Sequence, residues 1–140
     1  MLACACCLLI PPRQMTLTAQ QAVTSILLVD DDPQIVRALV PALEVSGLRV
    51  TVTTNGRDAI GQLDLRSWDA LVVDLGLPDM DGKTIIRHLR GTSGTPVVVI
   101  SARHSGAEVE AAHDLGANRF LHKPFRTPEL VRCIRELVSA

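Results

Sequence analysis

The chain has 140 residues, the length of one domain with or without a tail, and enough to bury roughly 70% of its unfolded surface without staples. Fourteen basic residues against fifteen acidic ones exclude a broad basic face for nucleic acid, and 2% aromatics without a tyrosine exclude stacking platforms for single strands. The longest apolar run, Leu2 to Ile10, is about half of a membrane span, and four cysteines, three within one tetrapeptide, do not make a disulfide framework. The body therefore reads as a reduced, soluble, cytoplasmic domain.

Residues 1–24 differ in character from the rest. MLACACCLLIPPRQ is apolar and cysteine-rich, then breaks at Pro11-Pro12. A secretory signal wants its charged segment first, whereas Arg13 follows the apolar run. Cys4, Cys6 and Cys7 fall one ligand short of a zinc site and have no histidine nearby. The expectation is a disordered leader ahead of a functional start at Met15, with one domain over residues 25–140.

From Ser25 two kinds of segment alternate. Short apolar, β-branched runs stand at Ile26–Val29, Val50–Thr53, Ala70–Val73, Pro96–Ile100 and Arg119–His122. ILLV, ALVV and VVVI are apolar at consecutive positions, as strands covered on both faces must be. Helical stripes lie between them, among them Ile35, Leu39, Leu43 and, at the end, Leu130, Ile134, Leu137. Asp32-Pro33 and Thr127-Pro128 each read as an N-cap followed by proline at the first helical position. Ser105 with Glu108 spells a capping box, and Asn55 and Asp81 cap two more helices. Gly47, Gly91 and Gly116 are expected to end helices in the left-handed conformation. Pro41 interrupts the first stripe, where a kink costing about 3 kcal/mol is expected rather than a break. Five strands alternating with five helices make one α/β domain with a doubly wound parallel sheet.

Open parallel sheets place their sites at the carboxyl ends of strands. The first run ends in Asp30-Asp31-Asp32, the third in Asp74, the fourth in Ser101 and the fifth in Lys123. Taken singly, an aspartate there is a turn former, and Asp32 is assigned to capping. Together they change the reading. Three carboxylates about 5 Å apart repel by about 3 kcal/mol per pair at an effective dielectric near 20. Lys123 offsets part of this, and a hard divalent cation bound by oxygens offsets the remainder. Mg²⁺ fits, because it accepts a few carboxylates and leaves a vertex for a phosphoryl oxygen. That arrangement suits phosphoryl transfer to a carboxylate, with Asp74 the nucleophile, Asp30 and Asp31 holding the metal, and Ser101 and Lys123 binding oxygens of the transferred group.

ILLVDDDP, ALVVDLGLPDMDG, VVVISAR and FLHKPF, in that order and spacing, closely resemble the receiver domain of two-component response regulators. The resemblance covers about 115 residues from Ile26 onward. It implies a (βα)5 fold, flavodoxin-like, with strand order 2-1-3-4-5. It also implies Mg²⁺-dependent transfer from a phosphohistidine, on a sensor histidine kinase or phosphotransfer protein, to Asp74. Asp31 is expected to bind Mg²⁺ directly, Asp30 through water, and Gly76 through its backbone carbonyl. Lys123 is expected to precede a cis peptide to Pro124. Ser101 and Phe120 form the expected switch: Ser101 moves toward the phosphoryl group and Phe120 turns inward. The surface of the fourth helix, fifth strand and fifth helix then selects a downstream partner.

Three departures from the family pattern bear on function. Phe120 replaces the commoner tyrosine, so any hydroxyl hydrogen bond is lost. Asn118-Arg119 stands where acidic residues support a salt-bridged homodimer in the family, which argues against that particular dimer, while a phosphorylation-dependent homodimer stays among the expected assemblies. Gly76 and Arg103, two residues beyond Asp74 and Ser101, do not orient an attacking water, so a long-lived phosphoryl group with slow autodephosphorylation is expected. The four histidines (His88, His104, His113, His122) read as surface residues, Cys133 as a small core residue, and Trp68 as packing before the third strand. The competing readings are a small phosphatase using Asp74, which lacks the second aspartate at position 76, and a phosphate-independent interaction domain. The expectation is a stand-alone receiver acting through a partner, or else one piece of a DNA-binding regulator. No direct nucleic-acid or membrane binding is expected of this chain.

Overall fold

The computed structural model describes residues 23–103 and 105–139. The expectations for the Cys4, Cys6, Cys7 leader, for Met15 and for His104 lie outside the described residues. Chain order is β1 (Thr24–Val29), α1 (Pro33–Val45), β2 (Leu48–Thr53), α2 (Gly56–Leu65), β3 (Ala70–Asp74), α3 (Gly82–Arg90), β4 (Val97–Ser101), α4 (Gly106–Asp114), β5 (Arg119–His122) and α5 (Thr127–Val138). The strands form one sheet in the order β2-β1-β3-β4-β5, and every pairing is parallel. Order and class both match the sequence-based expectation.

The apolar runs work because side chains alternate across a strand. Leu27, Val29, Leu71, Val73, Val97 and Val99 face one side and pack with Ala59 of α2, Ile85, Ile86 and Leu89 of α3 and Ala112 of α4. Ile26, Leu28, Ala70, Val72, Val98 and Ile100 face the other and pack with Leu39 and Leu43 of α1 and Leu130 and Ile134 of α5. Fully burying each of these side chains contributes about 1.5–3 kcal/mol, so the two layers dominate stability. No helix among the described residues is long and apolar enough to cross a membrane.

Caps agree with expectation at four helices: the side chains of Asp32, Asn55, Asp81 and Ser105 accept from the N–H groups of Gln34, Asp58, Lys83 and Glu108. Two boundaries need correction. The cap of α5 is Arg126, with Thr127 as its first residue and Pro128 second. Glu129 shifts the start by closing back on Arg126, its carboxylate accepting from that N–H at 3.0 Å and its own N–H donating to that carbonyl at 2.9 Å. Gly47 and Gly116 take positive φ, but Gly91 has φ −67° and is right-handed. No reversal is required there, because the N–H groups of Gly91, Thr92 and Ser93 continue inward to Arg87, His88 and Leu89 carbonyls. Helix α1 continues through Pro41, which is exposed, so water can serve the carbonyl left without a donor.

Candidate phosphoryl-transfer site

The sheet's polarity brings the polar strand ends to one edge. Asp30 extends the β1–β2 ladder through its N–H to Thr53 O at 3.1 Å, and its Oδ1 accepts from the Asp32 N–H at 2.9 Å, which turns the chain into α1. Asp31, between them, is exposed. Asp74 closes β3, with its Oδ1 accepting from the Gly76 N–H at 3.3 Å. Oxygens of Asp30, Asp31 and Asp74 lie within 4.8 Å of one another.

Lys123 enters from the end of β5. Its N–H donates to Ser101 O at 2.9 Å, and the Lys123–Pro124 peptide is cis. Its Nζ lies 2.9 Å from Asp30 Oδ2 and 3.5 Å from Asp74 Oδ2. Asp30 is fully buried and Asp74 nearly so, which makes this ammonium their counter-charge. Burial pushes the Asp74 carboxyl above its ordinary pKa; the Lys123 charge draws it back and the Asp30 charge adds to the rise. Burial acts to lower the Lys123 pKa, but the Asp30 hydrogen bond and the Asp30 and Asp74 charges outweigh it and hold the group above its ordinary value.

Three carboxylates against one ammonium leave a net negative cluster of hard oxygen donors. This fits a divalent cation that prefers carboxylate and carbonyl oxygens. Ser101 is buried at the end of β4, where Asp74 pairs with its neighbour Ile100. Its Oγ accepts from the Arg103 N–H at 3.0 Å. Phe120 is half-buried, packs on the α2–α4 side of the sheet and meets the His122 ring edge-on at 5.4 Å.

This sheet carries an acid cluster and its lysine at one edge, and the family model of the response regulator receiver domain matches residues 26–135. The chain belongs to this family. The receiver is 38% identical over 115 residues to the transcriptional regulatory protein KdpE of Mycobacterium tuberculosis, covering 82% of this chain and 51% of that protein. To the KDP operon transcriptional regulatory protein KdpE of Escherichia coli K12 it is 41% identical over 112 residues, covering 80% and 50%. It thus spans about half the length of the curated relatives it matches. Among solved structures it is similar to a putative response regulator of Chloroflexus aurantiacus J-10-fl, at 30% identity and TM-score 0.78, covering 84% of this chain and 98% of that one. It is also similar to the receiver domain of a sensor histidine kinase of Pseudomonas aeruginosa PAO1, at 29% identity and TM-score 0.74, covering 85% and 100%. That crystal structure has a magnesium ion coordinated in its active-site cleft.

Sequence reading missed two features of the receiver. Arg103 reaches across the site: its guanidinium donates to Leu75 O at 3.4 Å and lies 3.5 Å from Asp81 and 3.3 Å from Glu108. Lys83 joins the same carboxylates at 3.2 Å each, so the loop after β4 is tied to α3 and α4. Asp79 accepts from the N–H groups of Gly56 and Arg57 at 2.7 and 2.9 Å. Its signal was present in LPDMDG as an acid that neither ends a strand nor caps the helix that follows, since Asp81 does that.

Proposed function

We propose that this receiver accepts a phosphoryl group from the phosphohistidine of a sensor kinase or phosphotransfer protein onto Asp74. The observation that carries the reading is the single ammonium of Lys123 set between two buried carboxylates in a cluster of three. Asp30, Asp31, Asp74 and the Gly76 carbonyl are the residues that would hold Mg²⁺. When bound, the ion neutralises charge on the transferring phosphoryl oxygens.

The Asp74 carboxylate attacks phosphorus. An O–P bond forms, the P–N bond to the donor imidazole breaks, and its electron pair returns to nitrogen, which takes a proton on release. Burial favours this nucleophile by raising its basicity, while Lys123 keeps it ionised. Lys123 and the Ser101 hydroxyl each bind one phosphoryl oxygen. Ser101 uses its O–H for this while its Oγ is free to keep the Arg103 N–H, and Phe120 then turns inward on the α4–β5–α5 side. The output is a changed surface there, not a released product, so the chain acts as a regulator rather than an enzyme. The KdpE relatives are named as transcriptional regulators, which supports control of transcription as that output, through a partner or a further segment.

The test is incubation with Mg²⁺ and acetyl phosphate, read by intact mass. Wild type gains one phosphoryl group and Asp74→Asn does not. Equal labelling of both overturns the assignment. Trp68 lies at the opposite end of β3 from Asp74, so its fluorescence is the weaker reporter.

A further inference from the structure

Residues 75–81 form the loop that leaves β3 and carries Gly76, whose carbonyl is the proposed backbone ligand. A carbonyl ligand is only as well placed as the loop that holds it. At its base the loop is closed by the Gly82 N–H donating to Leu75 O at 2.9 Å. This pairs Gly76 with Asp81 in an antiparallel bridge but leaves the Gly76 carbonyl out of the bond.

The outer end is fastened elsewhere. The Asp79 carboxylate spans the first two residues of α2, one oxygen on the Gly56 N–H and the other on the Arg57 N–H. Met80 seals the contact, because a Cβ on Gly56 would stand 2.3 Å from Met80 Cγ. Helix α2 already has its own cap in Asn55, whose side chain serves the Asp58 N–H at 2.8 Å. Asp79 therefore takes different amides, from 22 and 23 residues away in sequence. Two free N–H groups at a helix N-terminus favour an anionic partner. Here the anion belongs to the loop, so the helix end fixes the loop.

We propose that Asp79 is a positioning residue of the metal site, holding the Gly76 carbonyl in place by tethering its loop to α2. The inference rests on the reading that Gly76 is a ligand. Groups that orient metal ligands change metal affinity by roughly 10–100-fold when removed. The experiment is titration of the unphosphorylated chain with Mg²⁺ by calorimetry, on wild type, Asp79→Ala, Asp79→Asn and Asn55→Ala. The expected result is about tenfold weaker binding or more for Asp79→Ala, a smaller loss for Asp79→Asn, which keeps one acceptor, and near-wild-type affinity for Asn55→Ala. If Asp79→Ala does not fold, the Asp79→Asn and Asn55→Ala comparison decides. Wild-type affinity in the Asp79 variants overturns the inference, and so does an equal loss in Asn55→Ala, which assigns the effect to uncapping α2. Absence of Mg²⁺ binding by wild type instead overturns the metal-site reading, and the inference with it.

Discussion

Replacing Lys123 by methionine keeps an apolar stem and removes only the charge set between Asp30 and Asp74. At an effective dielectric near 20, the 2.9 and 3.5 Å separations correspond to gross attractions of about 6 and 5 kcal/mol. The two carboxylates, at up to 4.8 Å, repel by about 3.5 kcal/mol. The net loss is smaller than the gross figures, because a carboxylate deprived of its counter-charge takes up a proton. From an ordinary carboxylate pKa of about 3.9, protonation at pH 7 costs about 4 kcal/mol, and at pH 5 about 1.5 kcal/mol. Those values set the scale of the destabilisation, and the pH 7 figure agrees with the roughly 3–5 kcal/mol for breaking a buried pair. The sign follows: in the variant a native carboxyl titrates above its unfolded value, so the deficit grows with pH and fades on acidification. Urea midpoints at pH 7 and pH 5, with and without about 10 mM Mg²⁺, measure it. The deficit should shrink at pH 5 and shrink again when the divalent ion supplies the missing charge. A deficit indifferent to both pH and Mg²⁺ refutes the electrostatic account and assigns the loss to packing.

Three further outcomes follow from the same geometry. Gly82→Ala places a Cβ 2.4 Å from Asp74 O and 2.8 Å from Leu75 Cα, both backbone, so it should destabilise by about 1–3 kcal/mol and slow labelling of Asp74 by acetyl phosphate; unchanged midpoint and rate would sink this reading. A Cβ at Gly76 meets only the Arg103 guanidinium, Nη2 at 3.6 Å and Nε at 4.0 Å, so the backbone there accepts Gly76→Asn, which should shorten the life of the phosphoryl group by giving an attacking water a partner. Hydrolysis of the wild-type phosphoprotein within seconds, or an unaltered rate in the variant, contradicts the expected slow autodephosphorylation. Finally, the Gly56 and Arg57 N–H groups hold the Asp79 carboxyl below its ordinary pKa. Its contribution is present above the unfolded value of about 3.9 and lost as pH falls through the folded one, so urea midpoints of wild type and Asp79→Ala should differ at pH 7 and converge well below pH 4.

The parts of the site that were legible in the sequence share one property: each stands at or just beyond the carboxyl end of a strand. In a parallel sheet all strands point the same way, so Asp30, Asp74, Ser101 and Lys123 had to meet once the runs were recognised as strands. Helix caps were legible for a related reason, since cap and amide are two or three residues apart, as with Asn55 and Asp58. The failures at Thr127 and Gly91 are local too, and concern a residue or the hand of a turn rather than an element.

What stayed hidden is where long polar side chains reach from helices and loops that the strand pattern does not align. Arg90 shows why. Its guanidinium donates to Thr95 O and Gly116 O, each at 2.7 Å, and to Asn118 Oδ1 at 3.1 Å, binding the loops before β4 and β5 together. Asn118 Oδ1 also accepts from the Val97 N–H at 2.8 Å. Position 118, read from sequence as a determinant of the dimer surface, thus has its side-chain oxygen committed inside its own sheet. Arg119 lies beside Glu136 of the same chain at 3.8 Å. No periodicity reveals such partners, because a charged residue's helical or strand spacing carries only its face, not the loop it reaches. The Arg103, Asp81, Lys83 and Glu108 cluster follows the same logic, and it matters more for function. It ties the loop after β4, which follows Ser101, to α3 and α4 through charges that a motif-based reading passes over.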